Sequence, residues 1–146
     1  MIGKEIHELA QKLWPINRSI TGEGVRETLS EIQKIIPTLK VNSISSGTQV
    51  FDWTVPKEWR VNDAYIISPD GTKICNFSEN NLHLLGYSIP FRGKLSLKEL
   101  KEHLFTLPDQ PNAIPYITSY YEERWGFCLK HEQFQNLKDG EYEVFI

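Results

Sequence analysis

The sequence predicts an α+β fold, on three observations. Apolar residues recur at helical spacing as far as Ile36. Beyond Pro37 the chain turns to short runs rich in β-branched and aromatic residues, separated by turn chemistry. A capping-box signature, Ser96 followed by Glu99, then sets one further helix among the strands.

The elements follow in order. Ile2, Ile6, Leu9 and Leu13 form one helical stripe with Lys4, Glu8 and Lys12 between them, and Pro15 ends the helix. A second helix starts near Thr21, with Val25, Leu29, Ile32 and Ile36 on its apolar face. Thr21 is the expected N-cap, Glu23 suits the positive end of the dipole, and Pro37 marks the stop. "LKVNSISS", "TQVFDWTV", "AYIISP" and "GTKICNF" read as strands, and "SPDG" at Ser68 to Gly71 joins the last two as a hairpin. "FSENNLHLLGYSIPFRG" reads as irregular. The helix capped by Ser96 is expected to bury Leu97, Leu100, Leu104 and Leu107. "LPDQPNAIP", with three prolines in nine residues, reads as a stiff extended connection. "YITSYY" and "WGFCL" read as strands, "HEQFQNL" as a short helix and "DGEYEVFI" as a turn into a last strand. That strand looks like part of a sheet cut off partway, and its exposed edge suggests a homo-oligomer.

Composition narrows the function. The 146 residues are 40% hydrophobic and 12% aromatic, enough for a folded core. The net charge is −3, with both signs interspersed and no lysine run, which speaks against nucleic acid or an anionic membrane as partner. "MIGKEIHELA" carries charges where a signal peptide needs an apolar run, and nothing approaches the roughly 20 apolar residues of a membrane span. A cytoplasmic protein is the resulting expectation. Cys75 and Cys128 read as two buried free thiols, with a disulfide left open.

The sequence carries few residues in patterns that chemistry requires. "HEQFQ", His131 to Gln135, fails as a zinc helix because Gln135 stands where the second histidine must fall on the same helical face. His7 and His103 sit on polar helical faces and read as solvated. His83, in "NLHLLGY", is either a hydrogen-bonded core histidine or a pocket residue. Glu122, Glu123 and Arg124 read as a self-neutralising surface cluster or as a polar binding group. Trp53, Trp59, Tyr116, Tyr120, Tyr121 and Trp125 are either core or the wall of a peptide or sugar groove. In "LWPINRSITGEG" the local chemistry is helix punctuation, although Arg18 and Thr21 at a helix start could hold a carboxylate. No P-loop, nucleophile elbow or dinucleotide fingerprint is present.

Longer blocks carry a resemblance. "RSITGEGVRETLSEI" resembles the R-x-x-G-x-x-G loop and following helix of zinc-dependent aminopeptidases. "LWPINRSITGEGVRETL", "GTQVFDWTVPKEW", "NLHLLGYSIPF" and "TLPDQPNAIPYITSYYEERWGFCL" resemble a bacterial aminopeptidase-like family, some of whose members lie among surface-polysaccharide biosynthesis genes. The likeness covers nearly the whole chain but only the N-terminal part of the family. It implies a peptidase-like α/β domain interrupted by a small β-rich inserted domain, often with a winged-helix tail beyond. On that likeness residues 1–45 hold the N-terminal helices and first strand of the peptidase-like part. Residues 46–120 are the insertion, and 121–146 return to the peptidase-like sheet.

Zinc is implied for the full-length family, but its ligands fall downstream of Ile146, so no metal ligand and no catalytic residue is assigned here. The substrate-binding candidates are Arg18, Thr21, His83 and Trp125. The expected role is scaffold and lid of a zinc hydrolase, inactive alone, whose partner is the missing C-terminal peptidase segment or other subunits. The alternative is a non-enzymatic module that binds a peptide or glycan, or assembles with another subunit.

Overall fold

The computed structural model describes residues 2–146, which form two compact units, 2–60 and 61–146. Helices and strands are both present, so the α+β class holds.

The first unit carries helices α1 (Ile2–Leu13) and α2 (Glu23–Ile35) and a small hairpin, β1 (Gln49–Val50) with β2 (Trp53–Thr54). Both helices lie where their apolar stripes predicted. Glu31 of α2 links the two helices by meeting Lys12 of α1 at 2.5 Å, and it also pairs with Lys34 within α2 at 2.6 Å. Those hydrogen bonds, Lys12 first, hold the Glu31 carboxyl below its ordinary range. Gly22 is the one buried residue between positions 2 and 60. Ile2, Ile6, Ile35 and Ile36 are all exposed.

Two expectations for this unit are corrected. Gly22, not Thr21, stands at the N-cap of α2, with φ +97° and no side-chain cap hydrogen bond. A Cβ on Gly22 would sit 2.9 Å from the Trp59 carbonyl oxygen, and one on Gly24 would collide with the backbone of Asn17. The chain enters the helix through two positions that exclude a side chain, so backbone sterics override the threonine's capping preference. "LKVNSISS" forms no strand, because Leu39–Ser46 finds no ladder partner.

In the second unit the hairpin predicted from "SPDG" is present. β3 (Tyr65–Ile67) pairs antiparallel with β4 (Lys73–Ile74), and Gly71, at φ +84°, closes the turn by donating from its N–H to the Ser68 carbonyl. These strands join β5 (Arg92–Ser96) and β8 (Glu141–Phe145) in a four-stranded sheet of order β4-β3-β8-β5. β8 alternates strictly: Tyr142 and Val144 are buried, while Glu141 and Glu143 face out. The last strand is therefore not an open edge. It runs antiparallel to β3 on one side and β5 on the other. The residues that complete its hydrogen bonding lie some fifty to eighty positions earlier, and no local pattern announces that pairing.

The capping box forms as predicted: the Ser96 N–H donates to the Glu99 carboxylate, and the Ser96 hydroxyl accepts from the Glu99 N–H. The helix it starts is shorter than expected. α3 covers Leu97–Leu100 and tightens into a 3-10 turn at Lys101–His103. Leu104 then enters strand β6 (Leu104–Phe105), parallel to β7 (Phe127–Cys128). Leu107 is 38% exposed, beyond the helix. "YITSYY" is an extended segment tied to the chain around Gly86, whose N–H donates to the Ile117 carbonyl and whose carbonyl accepts from Ser119 N–H; it is not a strand. Ile66, Leu85, Leu100, Phe127, Leu129, Tyr142 and Val144 make the core.

Candidate functional site

The four sequence candidates divide between the two units. Arg18 donates from Nη1 to the Leu13 carbonyl at 2.6 Å, so its guanidinium satisfies one of the carbonyls left open at the end of α1. Thr21 sits half-buried just before the Gly22 N-cap. In the other unit the His83 Nδ1 lies 2.8 Å from the Cys128 carbonyl, tying a 3-10 turn (Asn81–His83) to β7. Trp125 is 8% exposed and sandwiched between two rings, Phe91 at 4.1 Å and His103 at 3.7 Å, both nearly parallel to it.

The neighbouring residues need correction. His103 is half-buried against Trp125, with Nδ1 3.2 Å from the Trp125 carbonyl, rather than solvated. Its helix ends early, which turns the imidazole inward. Arg124 leaves the cluster with Glu122 and Glu123. Its Nη2 reaches the Thr118 carbonyl at 3.4 Å, and its guanidinium lies over the Phe105 ring, while the two glutamates are exposed.

Among the described residues no three His, Cys, Asp or Glu side chains gather in a way that could hold a metal ion. His131 pairs with the Thr106 hydroxyl at 2.9 Å at the start of α4 (His131–Gln135). The described residues therefore do not fit the zinc that the family resemblance implies. Cys75 and Cys128 are free, buried thiols, and burial pushes both up to about 12.

The sequence reading missed the feature that looks most like a binding site. A cleft of about 400 Å³ opens between the β3–β4 turn and the segment joining α4 to β8. Pro69, Ile74, Leu137 and Tyr142 give it apolar walls, and Asp70, Gln133, Asn136, Lys138 and Asp139 give it a polar rim. Both sides are rigidly built. The Asp70 Oδ1 accepts from the Ser68 hydroxyl at 2.7 Å and the Thr72 N–H at 3.1 Å, which lowers its carboxyl to about 2. The Tyr142 hydroxyl donates to the Lys138 carbonyl at 2.7 Å, and its pKa is raised, first by burial. A Cβ on Gly140 would lie 2.5 Å from Pro69 Cγ, so only glycine lets the two sides approach. The one sequence signal was the "SPDG" turn itself, which marks a wall but not the cavity behind it.

The chain is similar to known proteins in sequence and in fold. A Clostridium acetobutylicum protein is 51% identical over 144 residues, 99% of this chain but 33% of its own length. It carries the provisional name of a polysaccharide biosynthesis protein with an aminopeptidase-like domain. A crystal structure from the same organism, provisionally named a peptidase, superposes with a TM-score of 0.93 at 51% identity, over 99% of this chain and 34% of the other. The chain thus spans about a third of the length of the relatives it matches, and the aminopeptidase-like resemblance read from its sequence blocks is shown. Residues 58–146 match a family described only as a domain of unknown function, DUF2172, and with well over half its length inside that match the chain belongs to this family.

Proposed function

We propose that this chain is the scaffold-bearing part of an aminopeptidase-like protein and contributes no metal-bound chemistry of its own. The observation that carries the reading is the 51% identity to a protein named for an aminopeptidase-like domain, of which this chain matches a third. The side chains agree with it. His83 and His103 engage backbone carbonyls, and His131 engages a threonine hydroxyl, in three separate places. In the resemblance zinc would supply the activated water of peptide or amide hydrolysis, and that chemistry would reside in polypeptide outside these residues. For the β-rich inserted domain, expected at residues 46–120, our reading extends to residues 61–146; the pairing of β8 with β3 and β5 within one compact unit supports it. The test is to assay this chain beside the longer Clostridium relative with aminoacyl-nitroanilides and zinc. Hydrolysis by the relative alone is expected; hydrolysis by this chain would overturn the proposal.

A second reading, a binding or assembly module, is favoured by one observation: the 400 Å³ cleft lies wholly within the unit matched to the domain family.

A further inference from the structure

We propose that the cleft between the Ser68–Ile74 turn and the Gln133–Tyr142 segment binds a polypeptide that inserts one large apolar side chain and sets a lysine or arginine beside it. This rests on the binding-module reading and is independent of where hydrolysis occurs. Three features of the cleft select that ligand.

The first is the lining. Pro69, Ile74 and Leu137 face one cavity with the buried Tyr142 behind them, and about 400 Å³ falls within the roughly 300–1,000 Å³ of ligand sites with mostly apolar walls. Such a volume favours an aliphatic or aromatic side chain with some of its backbone. A free sugar would meet no exposed aromatic platform here, because Tyr142 is 1% exposed.

The second is the direction of the rim's hydrogen bonding. Asn136 spends its Nδ2 on the Glu132 carbonyl at 2.9 Å, so its Oδ1 remains to accept. The Asp70 carboxylate accepts from the Ser68 hydroxyl and the Thr72 N–H through Oδ1, and the Thr72 side chain also bears on it. Asp139 adds a second carboxylate. Lys138 and Gln133 bring donors of their own to the rim, but its charged acceptors, Asp70 and Asp139, outnumber its one cation and so favour a ligand that offers N–H groups or a positive charge.

The third is charge. Asp70 and Asp139 set two negative charges on the rim against the single positive charge of Lys138. A basic residue next to the apolar anchor relieves that imbalance, whereas an acidic one adds to it.

The experiment is a heteronuclear NMR titration of the 146-residue protein with acetyl-Gly-Leu-Lys-Gly-amide, its Leu-Glu counterpart and N-acetylglucosamine. The expected result is saturable shifts at amides 68–74 and 133–142, with a Kd of about 1 mM for the lysine peptide and at least about threefold weaker binding for the glutamate peptide. Asp139→Lys should reverse that preference, while amides outside the cleft report that the variant is folded. Asp139→Asn gives an intermediate and keeps the test if the lysine variant unfolds. No saturable shift with either peptide, shifts elsewhere, an unchanged preference in both variants, or shifts with the sugar alone would each overturn the proposal. None of these outcomes bears on the hydrolysis assay above, so the two readings fail separately.

Discussion

The indole of Trp125 lies flat against the imidazole of His103, ring centroids 3.7 Å apart and 9° from parallel. Phe91 covers the opposite face at 4.1 Å. This stack joins three segments of the chain: the entry to β5, the turn after α3 and the approach to β7. Trp125→Ala empties the middle of the stack and should cost about 3–5 kcal/mol, read as a fall in the urea midpoint without a change in slope. A loss under about 1 kcal/mol would show that the stack is peripheral to stability.

Next to it, Gly126 has no room for a side chain. A Cβ there would lie 2.7 Å from the His103 carbonyl oxygen and 2.6 Å from Phe105 Cε2. Gly126→Ala should destabilise by about 1–3 kcal/mol, because the obstruction includes backbone as well as a ring. A thermal melt unchanged from that of the parent protein would contradict this.

Asp70 makes the β3–β4 turn sensitive to acid. A carboxylate whose pKa drops on folding adds stability above its unfolded value of 3.8 and loses it as pH falls through about 2. Melting temperatures of the parent and Asp70→Asn proteins should therefore differ at pH 7, draw together between about pH 4 and pH 2, and meet below that. A constant gap down to pH 1.5 would show that the charge on Asp70 does not matter to the turn.

The two thiols titrate in the opposite sense. Burial raises both Cys75 and Cys128 from 9.0 to about 12, so the folded state keeps protons that the unfolded state gives up. Stability should fall as pH rises from about 9 towards 12. At pH 8 Ellman's reagent should react with neither thiol in the folded protein and with both in urea. Rapid release of one equivalent under native conditions would show that a cysteine is accessible.

Local chemistry was legible in the sequence. Helical periodicity placed α1 and α2, Pro69-Asp70-Gly71 placed the hairpin, and Ser96 with Glu99 placed a helix start, because each signal sits within a few residues of its effect. Interactions over long separations were not. β5 falls in "RGKLS", where Arg92 and Lys94 mask the alternation that Gly93 and Leu95 supply, and its strand character comes from pairing with β8. His103 looked solvated while its helix was assumed to continue past Lys101. The cleft was invisible because its two sides, near Asp70 and Asp139, are about seventy residues apart. Recognition of the relatives succeeded because whole blocks, rather than single residues, carried it.

If this chain supplies framework and a binding cleft while metal chemistry lies elsewhere, it should not hold zinc by itself. The most direct test is equilibrium dialysis of the 146-residue protein against micromolar zinc, with bound metal counted by mass spectrometry. Well under one zinc per chain is expected, with no further loss when His83, His103 and His131 are each changed to Ala. One tightly held zinc per chain, abolished by any of those substitutions, would contradict it.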